Sequence, residues 1–373
     1  MPQTSIRAVY MRGGTSRAIV FREQDLPKST PARDAIFAAA LGSPDPGRRQ
    51  LDGLGGGISS LSKIAVVGPS SRPDADVDYT FGQVVLDAAV VQYKGNCGNI
   101  SSAIGPFAVD EGLVKASGDS ATVRIHNTNT GKVIVARFPL EDGKAAVDGD
   151  FVLQGVAGTA APIRLSFLEP GGATTGKLLP TGNVRDTLDV PGLGKVEVSL
   201  VDCANPVIFI EAKAVGIEGT EKPTQLEARP ELIAALEELR VAGAVRMGVA
   251  KTEHDARTTV RNIPQVGIVS APHDEHSHIT VRMLSTGQPH RATPLTGAMC
   301  LAAAMRLPGT IAASVARLPA NPEADLVIAH PTGRLPVAAR VAGGHVEETV
   351  VYRTARRLME GSVLVPSSRL VAA

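Results

Sequence analysis

Cys97 is the first side chain of this sequence whose type and surroundings point to chemistry. It lies in residues 95–99, Gly-Asn-Cys-Gly-Asn, directly before small apolar residues that predict a helix. A helix N-terminus favours the thiolate form of a cysteine, and neighbouring glycines let backbone N–H groups approach a ligand closely. A reactive thiol is one interpretation. A structural cysteine in a turn is the other, and the residues alone leave both open.

Lys63 is the second candidate. It follows Ser-Ser-Leu-Ser and precedes Ile-Ala-Val-Val, which predicts a short apolar strand. A lysine that loses part of its hydration at such a place can serve as a general base, whereas a solvated lysine at a strand edge is the alternative. Asn205, before a predicted strand, and His290, shortly before a helix that opens with glycine, are further polar candidates. Surface solvation is the alternative for both.

Two other motifs suggest ligands but fail on closer inspection. Residues 171–177, Gly-Gly-Ala-Thr-Thr-Gly-Lys, superficially resemble a phosphate-binding loop. Leu178 stands where that motif needs Ser or Thr, and no strand and helix flank it, so nucleotide binding is rejected. Residues 273–278 contain three histidines, but no further ligand stands out. We therefore predict a solvated turn there and no metal site.

Composition limits the classes of partner. The chain has 373 residues, enough for two domains or one large domain, and 38 basic residues nearly cancel 37 acidic ones. Only 3% of the residues are aromatic and Trp is absent. These values argue against a nucleic-acid or membrane-surface partner. An anionic ligand must therefore be held by a few local groups.

The cysteine count indicates the compartment. Cys97, Cys203 and Cys300 are too few and too scattered for a disulfide framework or a zinc cluster. The sequence also shows no secretion-type leader and no apolar run of about 18–20 residues. We therefore expect a cytoplasmic protein with free thiols.

The hydrophobic pattern mixes helices and strands and contains a weak internal repeat. A strand after Asp76 is followed by a helix that opens at Gly98, and a strand after His276 is followed by a helix that opens at Gly297. This repeat is either coincidence or a sign of two related halves. In the second case two helix N-termini would face one cleft and could bind carboxylates.

The ordered motifs of the chain resemble those of the PrpF family, from near residue 7 to near residue 365. The residues that carry this resemblance are 11–16 (Met-Arg-Gly-Gly-Thr-Ser), 62–63 (Ser-Lys), 73–79 (Pro-Asp-Ala-Asp-Val-Asp-Tyr), 95–99, 105–108 (Gly-Pro-Phe-Ala), 175–183 (Thr-Gly-Lys-Leu-Leu-Pro-Thr-Gly-Asn), 204–206 (Ala-Asn-Pro) and 353–361 (Arg-Thr-Ala-Arg-Arg-Leu-Met-Glu-Gly).

The resemblance implies an α+β fold of the diaminopimelate epimerase type. Such a fold has two pseudo-symmetric halves, each a mixed sheet wrapped around a central helix, with the active site in the cleft between them. The expected halves are residues 1–183 plus 346–373, which carry Lys63 and Cys97, and residues 184–345. The central helices are expected at residues 98–113 and 297–307.

The resemblance also implies an activity and a set of site residues. Family members isomerise the C=C bond of unsaturated di- and tricarboxylates by proton transfer, without a cofactor. They include 2-methylaconitate cis–trans isomerase, methylitaconate Δ-isomerase and 4-oxalomesaconate tautomerase, and this chain looks most like the second. Lys63 and Cys97 fall at the catalytic positions. The expected substrate-binding residues are Ser16, Ser62, Gly98, Asn99, Asn205, His290, Thr296 and Gly297. Some relatives form dimers, so we expect a homodimer.

Two departures from the family pattern bear on the mechanism. The first motif usually continues Ser-Lys-Gly, but here it reads Ser16-Arg17-Ala18, which changes the local requirements of the turn. An epimerase of the diaminopimelate type needs two facing cysteines, but Pro294 stands where the second is expected, and Cys300 lies inside the apolar helix. An amino-acid epimerase or racemase is therefore the weaker alternative, together with a carboxylate-binding protein that has no catalytic activity.

Overall fold

The computed structural model describes residues 3–93, 97–285, 287–322 and 324–370. The chain divides into two compact units, Met1–Ser166 with Tyr352–Ala373, and Phe167–Val351. These boundaries fall at other points than those of the expected halves, and the residue-level division of the halves stays a prediction. In the described part of the chain, no helix is long and apolar enough to cross a membrane.

The first unit contains two helices, α1 (Thr30–Leu41) and α2 (Gly98–Asp110), among the described residues. Its strands before the first boundary are β1 (Gln3–Gly13), β2 (Ser16–Arg22), β3 (Lys63–Pro69), β4 (Val77–Val84), β5 (Val91–Gln92), β6 (Ser120–Asn127), β7 (Lys132–Glu141), β8 (Lys144–Ala145), β9 (Phe151–Val152), β10 (Thr159–Ala160) and β11 (Ile163–Leu168), which runs across that boundary.

The second unit follows with strands β12 (Asp186–Val190), β13 (Gly194–Cys203), β14 (Asn205–Glu211), β15 (Gln265–Ser270), β16 (Ile279–Ser285), β17 (Gln288–Pro289), β18 (Leu326–His330), β19 (Gly333–Ala342) and β20 (His345–Arg353), whose last two residues already belong to the first unit. Its helices are α3 (Pro223–Glu227), α4 (Pro230–Arg246), α5 (Glu253–Thr258), α6 (Leu295–Met305) and α7 (Ile311–Val315). Strand β21 (Ala355–Pro366) then returns to the first unit and pairs with β1.

The same strand topology occurs in both units. The weak internal repeat of the sequence therefore reflects two related halves and not coincidence. In the first unit β1–β2, β3–β4 and β6–β7 pair antiparallel, while β2–β3 and β4–β6 pair parallel. In the second unit β13–β14, β15–β16 and β18–β19 pair antiparallel, while β14–β15 and β16–β18 pair parallel. Parallel pairs need long crossovers. Helices α1 and α2 lie in the crossovers of the first unit, and α4 and α6 lie in those of the second.

Helices α2 and α6 are the core elements of their units, as predicted. Helix α2 is buried on all sides, mostly through small and apolar residues, and it packs against β1, β6 and β7. Helix α6 packs against β13, β14 and β19, and its residues from Ala298 to Met305 are fully buried. A helix that is apolar on every side belongs in a core. The observed ends differ slightly from the predicted ones. Helix α2 ends at Asp110, before a turn at Gly112, and α6 begins at Leu295.

The types of residues 11–17 predict a seven-residue turn between two short strands, and this prediction is wrong in length. Strand β1 continues to Gly13 and pairs with Ser16 at the start of β2, so the turn is the two residues Gly14 and Thr15. Gly14 has a φ of +52°, which glycine adopts without strain. Ala18 is buried in the ladder opposite Met11, so the hairpin forms without the family's glycine there.

Candidate active site

Lys63 holds its amine on the α2 face of the first unit's sheet. It is the first residue of β3, only 8% exposed, and it pairs with Gln83 in the β3–β4 ladder. Its Nζ donates a hydrogen bond to Gln83 Oε1 (2.5 Å) and lies 5.2 Å from the centre of the Phe81 ring. Among the described residues no carboxylate pairs with this amine. Lys63 is therefore an oriented, shielded amine that has no carboxylate partner in the described part of the chain.

The amide of Gln83 is itself held in place. Its Nε2 donates to the carbonyl oxygens of Ser59 (3.1 Å) and Ser62 (2.7 Å), so Oε1 remains for Lys63. The Ser62 hydroxyl is fully buried; it accepts from Gln50 Nε2 (2.7 Å) and donates to the Val84 carbonyl (2.9 Å). Ser62 thus orients the partner of Lys63 through its backbone. Its predicted contact with substrate stays a prediction.

Cys97 caps α2 at the same end of this sheet. It is a free, partly exposed cysteine in extended conformation, and its carbonyl accepts the Ser101 N–H (2.9 Å). Asn99, in the first turn of α2, contacts Thr15 directly before β2, and β2 runs parallel to β3, which begins with Lys63. Gly98, in the first turn, is buried. Gly95 and Asn96 of the same motif lie outside the described residues.

Asn99 connects α2 to the glycine turn. Its Nδ2 donates to Thr15 Oγ1 (3.1 Å), and its Oδ1 accepts from Arg353 Nε (3.1 Å). A Cβ on Gly14 would overlap the Asn99 carboxamide oxygen, and one on Gly13 would lie 2.6 Å from the Asn99 backbone oxygen. The two glycines of the first motif are therefore required by close packing on α2. Ser16, also predicted for the site, is buried directly after this turn.

Two residues that the sequence reasoning did not select lie beside Cys97. Arg353 is 6% exposed; burial lowers its pKa to about 10, and Cys97 acts in the opposite direction. Tyr79 is fully buried; burial and the neighbouring Cys97 raise the pKa of its phenol, while Ser101 opposes this shift. Both residues belong to motifs that carry the family resemblance, residues 73–79 and 353–361, so membership in these motifs could have indicated them.

The remaining predicted residues lie in the second unit. Thr296 and Gly297 form the first turn of α6, and a Cβ on Gly297 would lie 2.7 Å from Gln265 Oε1. Asn205 opens β14 and is partly exposed. His290 is exposed; its N–H donates to the Met283 carbonyl (2.7 Å) and its Nδ1 accepts from Ala292 N (3.3 Å). The structure therefore places six of the predicted site residues in one unit and these four in the other.

The second unit has no thiol at the position that Cys97 occupies in the first. Pro294 is the N-cap of α6, as Cys97 is the N-cap of α2. Cys300 is fully buried inside α6 and donates to the Val201 carbonyl (3.4 Å); burial raises the pKa of its thiol well above the usual range. The expectation that Cys300 is a core residue is confirmed, and Pro294 cannot take part in thiol acid–base chemistry.

The loop at residues 171–177 binds a protein carboxylate. The backbone N–H groups of Thr174 and Thr175 donate to Asp202 Oδ2 (2.8 and 2.6 Å), and the Thr175 hydroxyl donates to the same oxygen. These are the kinds of donor that a phosphate-binding loop presents to nucleotide. Asp202 accepts hydrogen bonds from these donors here, so they are not free for a phosphate. Among the described residues no group of three His, Cys, Asp or Glu could hold a metal ion.

Known proteins similar to the chain share its full length. The family model described as PrpF protein matches residues 3–366. The chain is 44% identical to the 3-methylitaconate isomerase of Eubacterium barkeri, covering 99% of both proteins. It is 38% identical to the 2-methyl-aconitate isomerase of Shewanella oneidensis, covering 98% of both. It is 41% identical to the (4E)-oxalomesaconate Delta-isomerase of a Novosphingobium species, covering 97% of this chain and 98% of that protein.

Solved structures agree with the sequence relatives. A crystal structure of methylitaconate-delta-isomerase matches with a TM-score of 0.94 and 43% identity, covering all of this chain and 98% of that one. A probable proline racemase from Agrobacterium radiobacter matches with a TM-score of 0.53 and 14% identity, covering 95% of this chain and 92% of that one. At this identity the match shows a shared fold and nothing about activity. The fold is therefore the expected α+β fold of the diaminopimelate epimerase type. The chain belongs to the PrpF family and is an isomerase of that family.

Proposed function

We propose that this isomerase moves or rotates the C=C bond of a small unsaturated di- or tricarboxylate by 1,3-allylic proton transfer, with no cofactor. The observation that carries the proposal is the arrangement at one end of the first unit's sheet. A shielded amine without a carboxylate partner, Lys63, lies at the same end as a partly exposed thiol at a helix N-terminus, Cys97. The names of the relatives supply the class of substrate.

Lys63 is the proposed base. Its neutral amine takes a proton from the carbon next to the C=C–COO⁻ unit, and the electron pair of that C–H bond moves into the conjugated system. The charge reaches a carboxylate oxygen, where N–H groups at the first turn of α2 can stabilise it. The flexible side chain of lysine reaches either allylic carbon. Return of the proton to the other end moves the double bond, whereas rotation before return to the same carbon exchanges cis and trans.

Cys97 is proposed to act mainly as a neutral thiol that donates a proton or shapes the pocket. A thiolate would repel the carboxylates of a substrate that is already a dianion or trianion. Asn99, Gly98 and Ser16 in the first unit, and Asn205, His290, Thr296 and Gly297 in the second, are the proposed substrate-binding groups. They supply N–H and hydroxyl donors suited to carboxylates.

Methylitaconate is the first choice of substrate, because the relative with the highest identity reported above acts on it. The alternative within the class is 4-oxalomesaconate, supported by the oxalomesaconate isomerase at 41% identity. An amino-acid epimerase or racemase is disfavoured by Pro294 at the N-cap of α6, because a two-thiol mechanism needs a cysteine there. A carboxylate-binding protein without activity is disfavoured because relatives that match nearly the whole chain are named isomerases.

The assay that tests the reaction also ranks the substrates. Purified, metal-free enzyme is incubated in D₂O with methylitaconate, 2-methylaconitate, aconitate and 4-oxalomesaconate, and kcat/KM and deuterium uptake are measured for each. We expect isomerisation with deuterium at the allylic carbon, and the highest kcat/KM with methylitaconate. Higher kcat/KM with 4-oxalomesaconate would reverse the ranking. If no compound is isomerised and none takes up deuterium, the proposed reaction is wrong.

A homodimer in the cytoplasm is the expected state of the protein. The three cysteines are free, as a reducing compartment requires, and two of them are buried. Light scattering measured over a range of working concentrations should give a mass twice that of the chain. A monomer mass at every concentration would contradict the prediction.

A further inference from the structure

Arg353 is a buried arginine without a carboxylate partner among the described residues. It is the last residue of β20, and only 6% of its surface is exposed. Its Nε donates to Asn99 Oδ1 (3.1 Å) and its Nη1 donates to the Tyr352 carbonyl (2.7 Å). In the part of the chain that the structure describes, no carboxylate pairs with it and nothing accepts a hydrogen bond from Nη2. A buried cation that lacks an anion is unfavourable unless a ligand supplies one.

The other buried arginines of the described chain show what a structural arginine looks like here. Arg240 is 2% exposed; it forms hydrogen bonds with both carboxylate oxygens of Glu237 and donates to the carbonyls of Ala256 and Val260. Arg282 is 7% exposed and has the charge of Glu221 beside it. Each has an acidic neighbour in its own unit. Arg353 has a thiol, Cys97, in the corresponding place.

Helix α2, beside Arg353, adds hydrogen-bond donors suited to an anion. Asn99 gives its oxygen to Arg353 and its Nδ2 to Thr15, so the carboxamide is fixed. Helix α2 begins beside it with no acidic residue in its first turn and no side-chain hydrogen bond at the N-cap. The free N–H groups of that turn and the positive end of the helix dipole therefore add to the positive charge of Arg353.

We propose that Arg353 binds the carboxylate of the substrate that is conjugated with the C=C bond, together with the first-turn N–H groups of α2, and so holds the reacting carbons beside Cys97. This inference rests on the proposed function and names a further residue of that site. When the proton leaves, negative charge spreads onto this carboxylate. The fixed cation then stabilises the dienolate more than the ground state, so Arg353 should affect kcat as well as KM.

The first test needs no turnover. Cys97 is the partly exposed cysteine, whereas Cys203 and Cys300 are buried, so iodoacetamide alkylation reports on Cys97. Methylsuccinate, a dicarboxylate without a C=C bond, should protect Cys97 in the wild-type enzyme. In Arg353→Gln we expect the half-protecting concentration to rise at least about tenfold, because a charged hydrogen bond is lost. Arg356→Gln is the matched control. Arg356 lies on the neighbouring strand β21, where it is exposed and pairs with Arg12 of β1.

The second test separates binding from positioning of Asn99. The kcat/KM of each enzyme is measured with the diacid and with the half-amide that lacks the conjugated carboxylate. If Arg353 contacts that carboxylate, Arg353→Gln should reduce kcat/KM for the diacid at least about tenfold but leave that for the half-amide nearly unchanged. An equal loss with both compounds would mean that Arg353 only positions other groups, and would overturn the proposal.

Arg353→Lys is the second variant if Arg353→Gln does not fold, with folding checked by thermal unfolding. Its ammonium keeps the charge but stops short of the Nη2 position and has no planar fork, so protection by methylsuccinate should weaken as well. Protection at the wild-type concentration in either folded variant would overturn the proposal. Because this measurement involves no isomerisation, it stands whether or not the proposed reaction is observed.

Discussion

Lys63→Met is expected to lower kcat by at least about 10³-fold, the range found for positioned acid–base groups. Methionine keeps most of the side-chain volume beside Phe81, but it removes the amine that Gln83 orients. Because the amine can also donate a hydrogen bond to a substrate carboxylate, KM should rise. The measurement is steady-state kinetics on the best substrate, with the free energy of unfolding followed by urea denaturation.

Two variants make this result interpretable. Lys195→Met changes an exposed lysine in the other unit and should leave kcat and KM unchanged. Cys97→Ser keeps a weak proton donor at the N-cap of α2, so it should cost less than Lys63→Met. If Lys63→Met stays active and Cys97→Ser is inactive, the roles are reversed and the thiol is the base. The pH profile is an independent check, since a thiol base should lose its pH-linked limb in Cys97→Ser.

The central helices and the burial of Lys63 could be predicted because their signals are local. A run of small apolar residues after a Gly-Asn turn predicts a buried helix, and a lysine before an apolar strand predicts a partly buried amine. The two-residue turn at Gly14 was missed because residues 12–17, which are all polar or small, do not show where β1 ends. Pairing with Ser16 fixes that point.

The role of Arg353 could not be predicted, because its contact with Asn99 joins positions 254 residues apart in the sequence. That contact depends on β21, which follows Arg353 and pairs with β1 over nearly its whole length. No periodicity in either segment encodes the pairing. The same holds for Asp202, which fills the loop at residues 171–177, since the sequence shows the loop's glycines but not the carboxylate that occupies it.

Gly14→Ala is the second change with a large expected effect. The new Cβ would overlap the carboxamide oxygen of Asn99 and lie 3.2 Å from Arg353 Cδ. Asn99 and Arg353 must move together, because a hydrogen bond joins them. A displacement of about 1 Å in a reaction site can reduce the rate about 10²-fold, so we expect kcat/KM to fall by that factor.

A matched variant separates this displacement from the strain of alanine in a glycine conformation. Gly14 has a φ of +52° and Gly112, just after α2, has a φ of +70°, but a Cβ on Gly112 would meet nothing within 4 Å. Each substitution carries a backbone cost of roughly 1–2 kcal/mol in the free energy of unfolding. Gly112→Ala should therefore lose stability but keep its kcat/KM, while Gly14→Ala loses both. Equal kcat/KM in the two variants would mean that the placement of Asn99 and Arg353 does not matter for turnover, and that the glycines of the first motif serve folding alone.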